Sequence, residues 1–265
     1  MPEGHTIHRL ARDHAAFLKG HPIAVSSPQG RFADGAALLD GRTLDRIEPY
    51  GKHLWYSFGG VAERLHVHLG LYGKFTSGPL PAPEARGALR LRLTTGSAWV
   101  DLRGPTACEL MTPPERRAVL ARLGPDPLGA RPDGTAAFAR IARSRAPLGV
   151  LLMDQSVLAG VGNVYRAEVL YRQGLSPFRA GRELSPAAWE ALWEDLVLLM
   201  RAGLRAGRIV TTRPEDRRRR TGKATREDAH YVYRRQGLPC RSCGAEIRTQ
   251  VMAGRNLFWC PHEQA

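Results

Sequence analysis

Pro2 and Glu3, at the start of the chain, combine an amine with a carboxyl group that could do covalent chemistry. Proline is small enough for removal of the initiator Met1, which would leave Pro2 with a free secondary amine. A reference α-amino group has a pKa of about 7.7–8.0, so part of it is neutral at physiological pH. A neutral amine can form a Schiff base with a carbonyl-like carbon, while Glu3 moves protons beside it.

The same two residues also have a purely structural interpretation. Proline is common at the first position of a helix, and an acidic residue in the first turn is stabilised by the helix dipole. Taken alone, Pro2 and Glu3 favour an ordinary helix start, so the rest of the chain has to decide between the two interpretations.

A second chemical pattern lies near the C-terminus, where two residues separate Cys240 from Cys243 and sixteen separate Cys243 from Cys260. This spacing is typical of a zinc ribbon, in which thiolates hold a tetrahedral ion. A fourth ligand is expected three residues after Cys260, where Glu263 stands, and His262 is one residue short of that place. We expect one structural zinc ion held by Cys240, Cys243, Cys260 and His262. Completion by Glu263 and loss of the metal both stay open.

The composition points to a globular protein that binds polyanions. Hydrophobic residues make up 43% of the 265, enough for a real core, and Lys and Arg (39) exceed Asp and Glu (25) for a net charge of +14. Such a field attracts nucleic acid first. The four cysteines are too few for a secreted disulfide scaffold. With no long apolar run and no secretory signal, we expect a cytoplasmic protein without a membrane partner.

The first half of the chain reads as one helix followed by strands. Ile7, Ala11, His14 and Leu18 repeat at intervals of three and four residues, and Gly20 ends the pattern. Short β-branched or aromatic runs follow at 43–47 and 53–58, and a hairpin at 89–100 carries arginines on one face. This order predicts an α+β fold whose antiparallel strands form a sandwich.

The second half is predicted to be helical and is the more basic part. It begins after a linker rich in Pro and Gly at 124–132, and residues 131–265 hold 23 basic and 13 acidic residues against 16 and 12 in 1–130. Helical patterns cover 135–143, 148–154, 164–172 and 186–206. Residues 212–228 are highly charged and poor in apolar side chains, which predicts a mobile surface loop; the role of its Arg213–Arg220 run stays open.

Several longer motifs together resemble one known family. They are MPEGHT at the start, YGKHLW at 50–55, HLGLYGKF at 68–75, LMDQSVLAGVGNVYRAEVLYRQGLSP at 152–177, VYRRQGLPCRSCG at 232–244 and AGRNLFWC at 253–260. The chain is similar, nearly end to end, to the formamidopyrimidine-DNA glycosylase/endonuclease VIII family. The most specific part is the segment around Asn163, followed at the right distance by the ribbon.

The resemblance implies an architecture and an activity. Residues 1–123 would form a catalytic β-sandwich domain, 124–132 a linker, 133–229 a helix–two-turn–helix DNA-binding domain, and 230–265 a zinc-finger hairpin. The implied activity is that of a bifunctional DNA glycosylase and AP lyase of base excision repair. Such a protein would act as a monomer on damaged DNA, in the cytoplasm of a bacterium and in association with its nucleoid.

The resemblance also assigns roles to individual residues. Pro2 resembles the nucleophile that attacks C1′ of the damaged nucleotide, Glu3 the proton shuttle, and Lys52 a lysine that contacts phosphate and supports catalysis. Asn163 and Arg255 resemble the residues that grip backbone phosphates. For Asn163 there is a physical reason, since a glycine turn into a helix start exposes N–H groups to an anion. A plain Asn N-cap is the alternative.

Leu71 and Tyr72 resemble the residues that fill the space left by an extruded base. Apolar wedges commonly occupy such spaces, and an exposed Leu-Tyr pair between two glycines is unusual for a core strand. A strand end is the alternative. This pair and the MPEGHT start resemble the endonuclease VIII branch more closely, which implies oxidised pyrimidines as the preferred lesions.

Other functions fit fewer of these features. A non-catalytic member that binds damaged DNA, or a zinc-ribbon DNA-binding protein, would explain the charge, the ribbon and Asn163, but not the combination of Pro2 and Glu3 with Lys52. A zinc nucleobase deaminase needs an upstream His-x-Glu or Cys-x-Glu motif, which the chain lacks. An RNA-binding translation protein fits the charge alone.

Overall fold

The computed structural model describes residues 2–265, and the chain divides into two compact units. The first unit comprises the N-terminal residues to Glu3 together with 7–122, and the second comprises 4–6 together with 123–265. Met1, whose removal the sequence predicts, lies outside the described residues. The predicted division into three domains and a linker stays a prediction.

The first unit contains three helices and eight strands. The helices are α1 (Gly4–Leu18), α2 (Ala33–Leu39) and α3 (Pro113–Ala121). The strands are β1 (Ala24–Ser26), β2 (Leu44–Tyr50), β3 (His53–Phe58), β4 (Arg64–His68), β5 (Lys74–Pro79), β6 (Leu89–Thr94), β7 (Ala98–Arg103) and β8 (Ala107–Met111).

The eight strands form two antiparallel sheets, in the orders β1-β6-β7-β5 and β2-β3-β4-β8. One hydrophobic core joins them. Alternate residues such as Leu91 and Leu93 of β6, and Leu54 and Tyr56 of β3, point into it, as the two-residue period of a strand requires. Helix α1 adds Ile7, among others, to the same core. The predicted sandwich is therefore confirmed.

Two helices of this unit were not predicted, so the expectation of one helix followed by strands was incomplete. Helix α2 spans only seven residues, too few for a clear periodicity. Helix α3 has no buried residues, so it lacks an apolar stripe, but Thr112 and Glu115 form a capping box at its start. The expected basic face of the hairpin is also partly neutralised, because Arg92 forms two hydrogen bonds to the buried carboxylate of Asp101.

The second unit is mainly helical up to residue 206. It contains α4 (Thr135–Ile141), α5 (Leu148–Leu151), α6 (Asn163–Arg172) and α7 (Pro186–Ala206), which pack around one core. The long helix α7 has the expected signals, since Ser185 accepts a hydrogen bond from the Ala188 N–H and Gly207 ends it in the left-handed conformation. All four predicted helices are present, with α5 shorter than expected.

The C-terminal part forms a two-stranded hairpin of β9 (Arg248–Met252) and β10 (Arg255–Trp259). A separate small core connects it to α6. This core contains Ala167, Tyr171, Tyr231, Val232, Cys240, Ile247, Phe258 and Cys260. The predicted α+β fold with a C-terminal ribbon is therefore confirmed.

Both segments predicted as irregular lack helices and strands longer than a single 3-10 turn, yet both are held in place. In 124–132, the Gly124 N–H donates to Gln155 O at 2.9 Å, so this segment packs within the second unit and is not a free tether. In 212–228, Thr212, Ala224 and Asp228 are buried while most of the arginines are exposed. The second segment is thus a surface loop that three buried residues hold in place.

None of the helices described between residues 2 and 265 is long and apolar enough to cross a lipid bilayer.

His14, on the buried face of α1, makes the stability of the first unit depend on pH. Its Nδ1 lies 2.7 Å from the Tyr56 hydroxyl, and burial lowers the pKa of His14 from 6.5 to about 4. His14 therefore binds a proton less readily in the folded state than in the unfolded chain. Its contribution to the free energy of unfolding should be complete above pH 6.5. This contribution should decrease as the pH drops towards 4, by about 1.4 kcal/mol per pH unit for this one site.

Replacing His14 by Gln should remove this contribution, and the free energy of unfolding should then change less steeply between pH 6.5 and 4. Urea unfolding at a series of pH values measures the slope, with the exposed His21 replaced by Gln as the matched control. Equal slopes for wild type and His14→Gln would contradict the assignment.

Candidate active site and nucleic-acid interface

The segment before α1 places Pro2 and Glu3 outside the helix. The backbone of Glu3 is extended, with φ −119° and ψ 177°, and α1 begins at Gly4 with no acidic residue in its first turn. The expectation that Glu3 lies in the first helical turn was therefore wrong. The structural interpretation, which places Pro2 at the first helical position and Glu3 in the first turn, is wrong for the same reason. Glu3 is completely buried, while Pro2 is partly exposed. Its side chain does not cap α1.

This arrangement can support proton transfer next to an amine. Burial removes the hydration of the Glu3 carboxyl group and separates it from bulk water. The extended backbone at Glu3 holds the preceding Pro2 clear of the helix. After removal of Met1, the partly exposed Pro2 would carry a secondary amine next to the buried carboxyl group, and these are the parts that Schiff-base chemistry requires.

Lys52 lies in the tight turn between β2 and β3. The turn consists of Gly51 and Lys52, with Tyr50 and His53 as the closing pair. Gly51 has φ +56°, a conformation that glycine adopts without strain and that two-residue hairpin turns require. The turn thus fixes the position of a half-buried Lys52 in the first unit.

A chain of hydrogen-bonded histidines that sequence reasoning missed begins directly beside Lys52. His53 Nδ1 lies 2.9 Å from His66 Nε2, and His66 Nδ1 lies 2.9 Å from Glu109 Oε1. Burial, reinforced by the nearby His68 and His66, lowers the pKa of His53 to about 3. It is therefore neutral at physiological pH. The signal in the sequence was the alternation of His66 and His68, which β-pairing brings opposite Trp55 and His53.

Leu71 and Tyr72 form the tip of the connection between β4 and β5. Leu71 is 45% and Tyr72 87% exposed, which excludes a core position for the pair. The connection is closed by a hydrogen bond from the Gly73 N–H to Leu69 O at 2.9 Å. A Cβ at Gly73 would lie 2.2 Å from that same oxygen, so only glycine fits there. The fold thus presents two large apolar side chains to the surface on a tightly closed turn.

Asn163 is the first residue of α6, and Gly162 is its N-cap. The alternative of a plain Asn N-cap was therefore wrong. The Asn163 side chain is buried, with Nδ2 donating to Asn256 O at 2.9 Å and Oδ1 accepting from Arg166. The side chain consequently ties α6 to strand β10, next to Arg255. The start of α6, with its positive dipole end, remains suited to an anion.

Arg255 opens β10 directly after a two-residue turn of Ala253 and Gly254, both at positive φ. It is partly exposed, and its Nη1 donates to Gly254 O at 3.2 Å. Arg166, fully buried on α6, donates to Gly149 O at 3.0 Å and reaches Met252 O on the other strand of the hairpin. Arg166 and Asn163 together hold both strands at the turn that presents Arg255.

Glu168, on the same helix, holds the segment that leads into the ribbon. Its buried carboxylate accepts backbone hydrogen bonds from Tyr231, Val232 and Tyr233 at 2.7–2.9 Å, and one from the Thr211 hydroxyl. Sequence reasoning missed both Arg166 and Glu168. Two charged residues within the GVGNVYRAE motif were a signal, but a charge on a helix usually faces solvent.

The three cysteines of the ribbon come together. Ligand atoms of Cys240, Cys243 and Cys260 lie within 4.8 Å of one another, and Cys243 Sγ is 3.5 Å from Cys260 Sγ. Zinc–sulfur bonds of about 2.3 Å in a tetrahedron place two sulfurs about 3.8 Å apart, so the three thiols fit one face of a zinc site. Neither His262 nor Glu263 belongs to this cluster, and both are exposed. The predicted place of His262 in the ligand set is thus not seen.

Cys108 lies in a different environment from these three. It is buried in the sandwich core, and burial raises the pKa of its thiol to about 12.

Three family models match the chain. The N-terminal domain of formamidopyrimidine-DNA glycosylase covers residues 1–108, the H2TH domain of the same protein covers 123–214, and a zinc finger found in FPG and IleRS covers 237–262. The matches follow one another along the chain in the order that the motifs predict.

Curated relatives and solved structures agree with these models. "Endonuclease 8 1" of Mycobacterium tuberculosis is 50% identical over 265 residues, with 98% of each chain covered. "Formamidopyrimidine-DNA glycosylase" of Thermus thermophilus is 33% identical over 230 residues, with 85% of this chain and 84% of the relative covered. A Lactococcus lactis Fpg, solved in complex with DNA containing an abasic site, has the same fold at a TM-score of 0.81, with 22% identity and 99% of each chain covered.

These two relatives are 50% and 33% identical and cover 98% and 85% of this chain, and the three family models lie in sequence on the sandwich, the helical region and the ribbon. The chain therefore belongs to the formamidopyrimidine-DNA glycosylase/endonuclease VIII family of DNA glycosylases.

Proposed function

We propose that the protein is a bifunctional DNA glycosylase and AP lyase that removes oxidised bases, pyrimidines first, from damaged DNA. The observation that carries the proposal is the extended N-terminal segment, in which a fully buried Glu3 that does not cap its helix adjoins a partly exposed Pro2. A protein that only binds DNA has no use for this arrangement. The names of the relatives support the same class of activity.

In the proposed reaction, the neutral amine of Pro2 attacks C1′ of the damaged nucleotide. The C1′–N bond to the base breaks, and the base leaves with a proton. Glu3 delivers a proton to the ring oxygen as the sugar opens, which leaves an iminium ion between C1′ and the Pro2 nitrogen. Met1 has to be removed first, since only then is the Pro2 nitrogen an amine.

Two eliminations then cut the DNA strand. The iminium acidifies the C2′ proton, whose loss expels the 3′ phosphate; loss of a further proton along the conjugated system expels the 5′ phosphate. Lys52 stabilises the charge that develops on the phosphates, the kind of electrostatic contribution that is usually the largest in catalysis.

Leu71 and Tyr72 occupy the space from which the damaged base is extruded. Their exposure on a closed turn supports this role, since an apolar wedge has to be both outward and rigid. The Leu-Tyr pair and the 50% identity to a protein named "Endonuclease 8 1" favour oxidised pyrimidines over 8-oxoguanine.

In the second unit, Arg255 contacts the phosphate backbone of damaged DNA. Asn163 supports this contact by placing the hairpin, since its side chain donates to Asn256 O next to Arg255. Zinc, when bound, stiffens the ribbon that bears Arg255 and takes no part in the chemistry. We infer a monomer that works on DNA in the cytoplasm, in association with the nucleoid.

Borohydride trapping tests the proposal directly. The purified protein is mixed with DNA that carries an abasic site or thymine glycol, reduced with borohydride, and the adduct is mapped by mass spectrometry. An adduct on Pro2 is expected. An adduct on Lys52 would overturn the nucleophile, and no adduct despite intact DNA binding and a processed N-terminus would indicate a non-catalytic member of the family.

Substitution of the two N-terminal residues should separate chemistry from binding. Glu3→Gln should reduce base excision by about 10²–10⁴-fold, the usual contribution of a general acid or base, and Pro2→Gly should reduce it at least as far. DNA affinity should stay within about twofold, because neither side chain holds the backbone. Single-turnover excision and fluorescence anisotropy measure the two effects; unchanged turnover of thymine glycol DNA by either variant would contradict the assignment.

Removal of the Leu71 and Tyr72 side chains should affect base extrusion more than strand cleavage. Tyr72→Ala together with Leu71→Ala should slow excision from duplex DNA by about 10–100-fold, because stacking on a base is worth about 1–3 kcal/mol. Cleavage at a preformed abasic site should change much less. The ratio of the two rates is the measurement, with the exposed Leu198 on α7 replaced by Ala as the control; an equal loss in both steps would point to misfolding.

Replacement of Arg255 should remove one phosphate contact. Arg255→Ala should lower the slope of log affinity against log salt by about 0.9, the value for one contact with duplex DNA. The exposed Arg117 of α3, also replaced by Ala, serves as the control for a loss of overall charge. If both variants shift the slope equally, Arg255 contributes only through the overall positive charge of the protein and makes no specific phosphate contact.

A further inference from the structure

The thiols of Cys240, Cys243 and Cys260 supply three of the four ligands that a tetrahedral zinc ion requires. The fourth has to come from another residue or from solvent. His262 and Glu263 are the nearby candidates in the sequence, and neither reaches all three sulfurs in its present side-chain position. The path of the backbone around the two cysteine turns distinguishes between them.

The first turn runs from Cys240 to Cys243. The Gly244 N–H donates to Cys240 O at 3.1 Å and closes this turn. The third residue after Cys240 is Cys243, whose own thiol joins the cluster. The second residue, Ser242, sends its hydroxyl to the Tyr171 hydroxyl at 2.8 Å instead. In this turn, therefore, the third residue is a ligand and the second is not.

The second turn, from Cys260 to Glu263, repeats this geometry. The Gln264 N–H donates to Cys260 O at 3.2 Å, as the Gly244 N–H does to Cys240 O at 3.1 Å, and the Glu263 N–H donates to Cys260 Sγ at 3.5 Å. Glu263 therefore occupies the place of the ligand, and His262 occupies the place of Ser242.

Gln264 keeps this second turn closed. Its side chain is buried, and its backbone N–H donates to Cys260 O at 3.2 Å. The side-chain Oε1 accepts from the Cys260 N–H, and Nε2 donates to Leu175 O, both at 3.0 Å. The backbone of residue 263 is thus fixed beside the thiols while its exposed side chain is free to rotate onto a metal ion.

We propose that the carboxylate of Glu263, and not the imidazole of His262, completes the metal site of the ribbon. The site then has three thiolates and one oxygen ligand. An oxygen donor is harder than a thiolate, so it binds zinc less tightly and exchanges more readily with water. The ribbon holds zinc in a site that is open to solvent on the Glu263 side. This inference concerns the metal alone and holds whether or not the protein is a lyase.

The test measures metal binding by the full-length protein. Zinc affinity is determined by competition with a chromogenic chelator for wild type, Glu263→Ala, His262→Ala and Glu263→Cys. We expect Glu263→Ala to weaken zinc binding by about tenfold or more and Glu263→Cys to strengthen it, with His262→Ala within about twofold of wild type. Circular dichroism of each variant checks that the fold is retained.

Cobalt provides a second readout that does not depend on affinity. Co²⁺ in the wild-type site should show thiolate charge-transfer absorption for three sulfurs, and Glu263→Cys should raise this absorption by about one third as a fourth thiolate is added. Weaker binding in His262→Ala with no change in Glu263→Ala would overturn the proposal in favour of His262. Equal affinity in all four proteins, or no metal binding at all, would overturn it in favour of a water ligand or a metal-free ribbon.

Discussion

The buried carboxylate of Glu168 is the interaction on which the placement of the ribbon depends. It accepts backbone hydrogen bonds from three consecutive residues, 231–233, which lead directly into the cysteine turns. A buried charge is expensive, but hydrogen bonds to a charged acceptor contribute about 1.5–3 kcal/mol each. The segment cannot move away from α6 without leaving this carboxylate unsatisfied. Arg166 and Asn163 act on the hairpin in the same way, two turns or less along the helix.

Helix α6 therefore has two functions that a sequence pattern cannot separate. Its apolar residues, Tyr165 and Val169 among them, belong to the helical core, and Ala167 and Tyr171 belong to the ribbon core. Every residue of the helix up to Tyr171 is buried. A helix covered on all sides has no polar face, so its charged residues have to find partners inside the protein.

Much of the fold could be predicted from local signals, whereas most of the candidate site residues were named by the resemblance of their motifs to a family. Periodicity gave α1 and α7, and the hairpin of β6 and β7 followed from alternation around a turn. The remainder depends on pairing between distant segments. The histidine chain from His53 to Glu109 exists only because β3, β4 and β8 lie side by side. Similarly, the extended backbone at Glu3 and the N-cap at Gly162 are single dihedral choices, which residue types restrict but do not determine.

The two cations assigned to phosphate are both placed by tight hairpin turns and not by the cores. Lys52 follows Gly51, and Arg255 follows Ala253 and Gly254, with all three preceding residues at positive φ. Ala253 adopts this conformation at a cost of about 1–2 kcal/mol, which a glycine would avoid. A two-residue turn fixes the backbone at each cation, so the base of the side chain is held in place while its end stays free to adjust. Because these turns lie outside the hydrophobic clusters, changes there should alter the grip on DNA while leaving the cores intact.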